Sequence, residues 1–135
     1  MEEQLAYLIA SVNRQLEEEL TESLRPEGIS VEQFRILTTL ASNDGRSMRD
    51  LAELVLVDPA TLTKIIDRMV ADGLVYRAPD PDDRRKVLIF LSNRGTVLHD
   101  KLKGVLRTQQ RALVSRLTEK RAEELASLLR GVISF

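Results

Sequence analysis

Residues 58–95 read DPATLTKIIDRMVADGLVYRAPDPDDRRKVLIFLSNRG, and the fold turns on a change of period inside this stretch. In its first half Leu62, Ile65, Ile66, Met69 and Val70 fall within about one third of the circumference of a helix. Asp58 is placed to cap that helix, Pro59 suits its first position, where no amide donor is needed, and Gly73 follows as a stop. The helix is therefore expected to run to about Asp72. From Leu74 the pattern becomes that of strands: LVYR at 74–77 and KVLIFL at 86–91 predict a hairpin joined by the turn APDPDDRR at 78–85.

On the N-terminal side, Ser47 and Asp50 form a weaker capping pattern that opens a short helix with Met48, Leu51, Ala52 and Leu54 turned inward. Val55 to Val57 leave room for only a brief break before Asp58. Two short helices about three residues apart, followed by a β-hairpin, predict a winged helix-turn-helix. Further upstream, Ser30 and Gln33 make a capping box, with Ile29 and Phe34 spaced as a hydrophobic staple and Leu37 and Leu40 continuing the inward face. Asn43-Asp44-Gly45 is a turn, and a very short extra strand is expected near Gly45–Arg46. Residues 2–24 carry a narrow helical stripe (Leu5, Leu8, Ile9, Val12, Leu16, Leu20) that Pro26 and Gly28 end. Beyond the hairpin, Ser92 or Asn93 caps one long helix to about Leu117, and Thr118 caps a last helix through about Arg130. The expected fold is mainly α with a small β-hairpin, in the order α-α-α-α-β-β-α-α. A winged helix-turn-helix core at 29–92 lies between an N-terminal helix at 1–28 and C-terminal helices at 93–135.

Composition narrows the function. The 135 residues include no cysteine and one histidine, His99. A disulfide framework, a zinc ribbon and a thiol switch are excluded, and a His-rich metal site or a Ser-His-Asp triad has little to draw on. No apolar run approaches the length of a membrane span, and the first ten residues lack a basic region typical of a secretory signal, so a cytoplasmic location is expected. Net charge is −1, yet its distribution is uneven: nine acids face three bases over 1–45, while twelve bases face nine acids over 46–107. A local basic face is what phosphate binding requires.

The outward side of the 59–72 helix carries Pro59, Ala60, Thr61, Thr63, Lys64, Asp67 and Arg68. Short side chains near its N-terminus permit close approach to base edges, and threonine hydrogen-bonds with either base type. Lys64 and Arg68 lie one turn apart, suited to a guanine or to phosphates. Asp67 opposes DNA contact on this face unless it sits at the rim or pairs with Arg68. Arg84 and Arg85 at the hairpin tip suit a narrow minor groove, with Asp83 placed to brace one of them or Arg77. Ser47 and Arg49, opening the preceding helix, are candidate phosphate contacts, and Arg77 on the first strand is a further candidate DNA contact.

Residues 72–95 resemble the wing signature of the MarR family of bacterial transcriptional regulators, and LAELVLVDPATLTKIIDRMV at 51–70 resembles that family's helix-turn-helix. The resemblance implies an obligate homodimer whose first helix and last two helices interlock. It places the recognition helix at Pro59–Asp72 and the family's Asp-x-Arg wing element on Asp83 and Arg85, with Arg85 in the minor groove. It also implies release by a small lipophilic or phenolic anion, for which Tyr7, Arg14, Phe34 and His99 are the candidate contacts.

Dimerisation has independent support in the sequence. Val97, Leu98, Leu102, Val105, Leu106, Gln109, Leu113 and Leu117 form one stripe, and Leu125, Leu128, Leu129, Val132, Ile133 and Phe135 make the closing helix strongly apolar. Gly104 in the middle of the long helix costs about 1 kcal/mol, a cost that a close helix crossing would offset. No carboxylate pair, metal cluster, phosphate loop or nucleophile–base pattern stands out, and His99 beside Asp100 reads as a surface or interface residue. The expectation is therefore a DNA-binding regulator, acting as a repressor on a pseudo-palindromic operator, with no catalytic residues, metal or cofactor. The alternative is a winged helix whose recognition face is covered by a protein partner.

Overall fold

The computed structural model describes residues 4–134. Its elements run α1 (Leu5–Leu24), a 3-10 turn (Arg25–Glu27), α2 (Val31–Ser42), β1 (Arg46–Ser47), α3 (Met48–Val55), α4 (Pro59–Ala71), β2 (Val75–Pro79), β3 (Val87–Leu91), α5 (Asn93–Leu102), α6 (Gly104–Leu117) and α7 (Glu119–Ile133). By internal contacts the chain divides into two units, residues 1–103 and 104–135.

The first unit is the winged helix. Its core gathers Ile36, Leu37 and Leu40 from α2, Leu51, Ala52 and Val55 from α3, Leu62, Ile66 and Met69 from α4, and Leu74, Val75 and Ile89 from the wing. The expected inward face of α3 needs one correction: Leu54 is exposed and Val55 is buried. Positions 48, 51, 52 and 55 are the set that repeats at helical spacing, and 54 falls outside it. Four predicted caps form in this unit, that of α4 by Asp58 among them. Ser30 Oγ accepts from the Gln33 amide at 3.1 Å while Gln33 Oε1 accepts from the Ser30 amide at 2.9 Å. Ser47 Oγ accepts from the Asp50 amide at 3.1 Å, and Ser92, rather than Asn93, caps α5 by accepting from the Gly95 amide at 2.9 Å.

The sheet is antiparallel in the order β1-β3-β2, so the two-residue strand before α3 forms one edge. Within the hairpin Val75 pairs with Leu91, Tyr76 with Phe90 and Arg77 with Ile89. Tyr76 and Phe90 stack with centroids 5.5 Å apart on the face away from the core. Asp44 Oδ1 accepts from the Leu91 amide at 2.9 Å, fastening the turn before β1 to the end of β3. The base of the wing is equally tight. Ser92 N donates to Leu74 O at 3.1 Å, Ser92 Oγ donates to Gly73 O at 2.5 Å, and Gly95 of α5 lies against the same Leu74 carbonyl.

Helix α1 touches this core only at its C-terminal end, where Leu20 and Leu24 are buried. Glu17 and Arg35 form an ion pair between α1 and α2, and Lys101 of α5 pairs with Glu27 at 2.7 Å. The N-terminal half leaves Leu5, Tyr7, Leu8, Ile9 and Val12 exposed.

The expected long helix over 93–117 is two helices, α5 and α6, interrupted at Lys103. Lys103 keeps right-handed helical dihedrals, and Gly104 directly after it is a poor helix former, which makes this the weakest point of the segment. The interruption divides the predicted stripe. Leu98 packs on the core cluster and Leu102 is buried in the first unit, while residues from Val105 onward belong to the second. In that second unit α6 packs on α7, which Thr118 caps by accepting from the Arg121 amide at 3.4 Å. The last helix runs past the expected end at Arg130 to Ile133, and Phe135, assigned to its apolar face, lies outside the described residues. Neither α6 nor α7 has a buried residue. Leu128, Val132 and Ile133 are at least 63% exposed.

Candidate nucleic-acid interface

Helix α4 is positioned by its buried stripe, which leaves Pro59, Ala60, Thr61, Thr63, Lys64, Asp67 and Arg68 on its exposed side. Its start is fixed by Asp58. One carboxylate oxygen accepts from the Thr61 amide at 3.0 Å and the other from the Thr61 hydroxyl at 2.6 Å. The side-chain hydrogen bond from Thr61, then its amide, hold the Asp58 carboxyl below its ordinary pKa. A carboxylate depressed in the folded state stabilises fully above its unfolded pKa and loses that contribution as pH falls through the folded value. Asp58→Ala is therefore expected to lower the melting temperature at about pH 6, with the difference from the parent closing toward about pH 3. Melting curves across that range check it.

The cations are mostly partnered. Arg49 Nε lies 3.9 Å from Glu53 one turn on, and Arg68 Nε 3.2 Å from Asp72. Asp67 pairs with Arg77 of β2 and not with Arg68, which corrects one of the alternatives read from the sequence. The other holds in part: Asp83 braces Arg85, not Arg77, accepting from its amide at 3.1 Å and from Nε at 3.3 Å. The Arg85 side chain is otherwise 92% exposed. Among the described residues, no acid pairs with Lys64, Arg84 or Lys86. Ser47 spends one lone pair on capping α3, and its hydroxyl keeps a donor.

The wing tip is shaped by more than sequence reading found. Asp80 N donates to Lys86 O and Lys86 N to Asp83 O, both at 2.9 Å. Asp80 Oδ1 also accepts from the Asp82 amide at 2.9 Å. Asp80 and Lys86 thus belong to this element, Asp80 as a turn former and Lys86 as a further unpaired cation. A clue was present, since aspartate two residues before a backbone donor commonly forms such turns.

Several grooves mark this unit among the described residues. One of about 500 Å³ lies between α3 and the start of α4, bordered by Arg49, Glu53, Pro59 and Thr63. A second, about 410 Å³, separates the start of α2 from Lys64 and Arg68. A third, about 330 Å³, lies between the α1–α2 connection and α5. These three are lined by other residues than Tyr7, Arg14, Phe34 and His99. Phe34 is buried, Arg14 pairs with Glu18 at 3.1 Å, His99 Nδ1 lies 3.9 Å from Asp100, and Tyr7 is half exposed on α1. No group of three or more metal-ligating side chains occurs among the described residues, and no helix there is long and apolar enough to cross a membrane.

Comparison with known proteins agrees with this architecture. The MarR family profile matches residues 29–87, from the start of α2 to the return strand of the wing. The multiple antibiotic resistance protein MarR of Escherichia coli (strain K12) is 30% identical over 130 residues, covering 96% of this chain and 90% of that protein. The homoprotocatechuate degradative operon repressor of Escherichia coli is 28% identical over 111 residues, covering 82% and 75%. A crystal structure of a mutant MarR from E. coli complexed with operator DNA superposes with a TM-score of 0.85 at 31% identity, covering 95% of this chain and 92% of that one. With 30% identity to a MarR protein over 96% of its length, the chain belongs to the MarR family.

Proposed function

We propose that the chain is a cytoplasmic, sequence-specific double-stranded DNA-binding regulator that acts as a homodimeric repressor and is not an enzyme. The observation that carries this reading is one rigid core holding two DNA-sized elements. Helix α4 exposes small and hydroxyl side chains at its N-terminus with Lys64 behind them, and the hairpin carries Arg84 and Arg85 on a tip ordered by its own carboxylates. The helix suits the major groove and the tip the minor groove. Ser47 and Arg49, at the start of α3, and Lys86 on the wing suit backbone phosphates. Family membership supports the reading, since the relatives above include a named repressor and a protein crystallised on operator DNA.

Residues 1–28 and 93–135 supply the dimerisation elements. The two-helix second unit has no buried residue, and two helices with an uncovered apolar face do not sustain themselves in water. A second copy covers such a face and sets two α4 helices about one DNA turn apart, which calls for a pseudo-palindromic site. Release by a small lipophilic or phenolic anion completes the proposal, with Tyr7, Arg14, Phe34 and His99 as candidate contacts in the assembled dimer.

The test is a fluorescence-anisotropy titration of the purified protein on duplex DNA from upstream of its own gene, repeated over a salt series. The expected result is saturable binding that weakens with salt by about 0.9 in log–log slope for each phosphate neutralised. Absence of binding at low salt, with capture of a protein instead, overturns it in favour of a protein-interaction module.

A further inference from the structure

Arg77 faces two assignments. Sequence reading placed it among the DNA contacts, but its guanidinium is hydrogen-bonded to Asp67 in the middle of α4. The geometry follows from the sheet. Val75 is buried, so Arg77, two residues on, points to the same face, toward α4, while Tyr76 stacks on Phe90 on the other side. The Arg77 side chain is accordingly only 38% exposed, far less than Arg85 at 92%. Asp67 occupies the outward side of α4, one turn beyond Lys64 and two residues beyond Ile65.

We propose that Asp67 is a positioning residue: through Arg77 it ties the recognition helix to the first wing strand, so that helix and wing meet DNA as one body. The proposal rests on the DNA-binding reading above. Exposed ion pairs contribute little to stability, and this one is no exception; its effect is on orientation. It joins two elements ten residues apart in sequence, one aimed at the major groove and the other carrying the minor-groove arginine. The pairing also removes an objection to the interface. An unpaired Asp67 on this face repels phosphate, whereas a paired one presents no net charge. Arginine suits the task because its planar fork holds a carboxylate in a defined direction.

The experiment uses the full-length dimer with Asp67→Asn, Arg77→Ala and the exchanged pair Asp67→Arg/Arg77→Asp. Operator affinity, hydroxyl-radical footprint and melting temperature are read together. The proposal expects Asp67→Asn to lose about tenfold in affinity, to lose protection at the wing-contacted flank while keeping it at the half-site centre, and to melt as the parent does. The exchanged pair restores both affinity and flank protection. Two outcomes overturn the proposal. Asp67→Asn binding as tightly as the parent, or more tightly, identifies Arg77 as a DNA contact freed from its partner. An exchanged pair that stays as weak as Arg77→Ala says the same. If the parent itself binds no duplex, the DNA-binding reading fails, whereas a parent that binds and footprints normally beside an unaffected Asp67→Asn sinks the brace alone.

Discussion

Replacing Gly95 with alanine is expected to destabilise the winged helix by about 3 kcal/mol, at the upper end of what overpacking costs. A Cβ at this position meets the Leu74 carbonyl oxygen at 2.1 Å, its carbon at 3.1 Å and Leu91 Cδ2 at 3.1 Å. Two of these are backbone atoms, which do not swing aside as a flexible side-chain end does. The same carbonyl already accepts from Ser92 N, so moving it loosens the cap of α5 together with the base of the hairpin. Gly104→Ala is the matched control. Nothing lies within 4 Å of its Cβ position in the chain, and alanine there gains roughly 0.5–1 kcal/mol of helix propensity. Chemical denaturation of both variants at fixed protein concentration checks the pair. Equal midpoints contradict the account of how α5 is seated. A loss of stability in Gly104→Ala points instead to a helix of the second copy crossing closely at that position.

Arg85→Ala is expected to weaken operator binding by about 1–3 kcal/mol, or roughly 5- to 150-fold, with no change in melting temperature. The side chain is almost fully exposed, so its removal costs the fold nothing. Its backbone amide and Nε are both held by Asp83, which leaves the rest of the guanidinium free and already aimed. Such preorganisation reduces what binding spends on ordering a flexible side chain. Arg85→Lys is expected to recover only part of the loss, because a point charge does not reproduce a planar donor fork. Asp83→Ala should produce a smaller loss than Arg85→Ala, since the arginine remains but is no longer held. Anisotropy titrations at one salt concentration measure all three. An unchanged affinity for Arg85→Ala removes the wing tip from the interface.

What the sequence disclosed, and what it did not, follows from the range of the interactions involved. Caps at Ser30, Ser47, Asp58 and Ser92 span three residues, so residue type and spacing alone identify them. The buried stripe of α4 and the switch to strand pattern at Leu74 are likewise local. The short strand β1 showed as a turn followed by a cap, and its partner, β3, lies more than 40 residues away. The break at Lys103 was not legible as a break. Apolar spacing runs straight through it, and only the weak propensity of Gly104 hints at it. The partners of the interface arginines were the hardest to read. Asp67 had Arg68 beside it and Arg77 ten residues off, and only the packing of β2 against α4 selects between them. The effector candidates lie on three helices, Tyr7 and Arg14 on α1, Phe34 on α2 and His99 on α5, so no local spacing relates them.

The central claim is that two copies of this chain present α4 and the arginine-tipped wing on one surface, spaced to grip a duplex. Selection of bound fragments from a random double-stranded pool by the purified protein tests it most directly. The expected product is a pseudo-palindrome with half-site centres about 10 base pairs apart, bound by two chains per duplex. Enrichment of a single unrepeated site, or no enrichment over the starting pool at low salt, contradicts it.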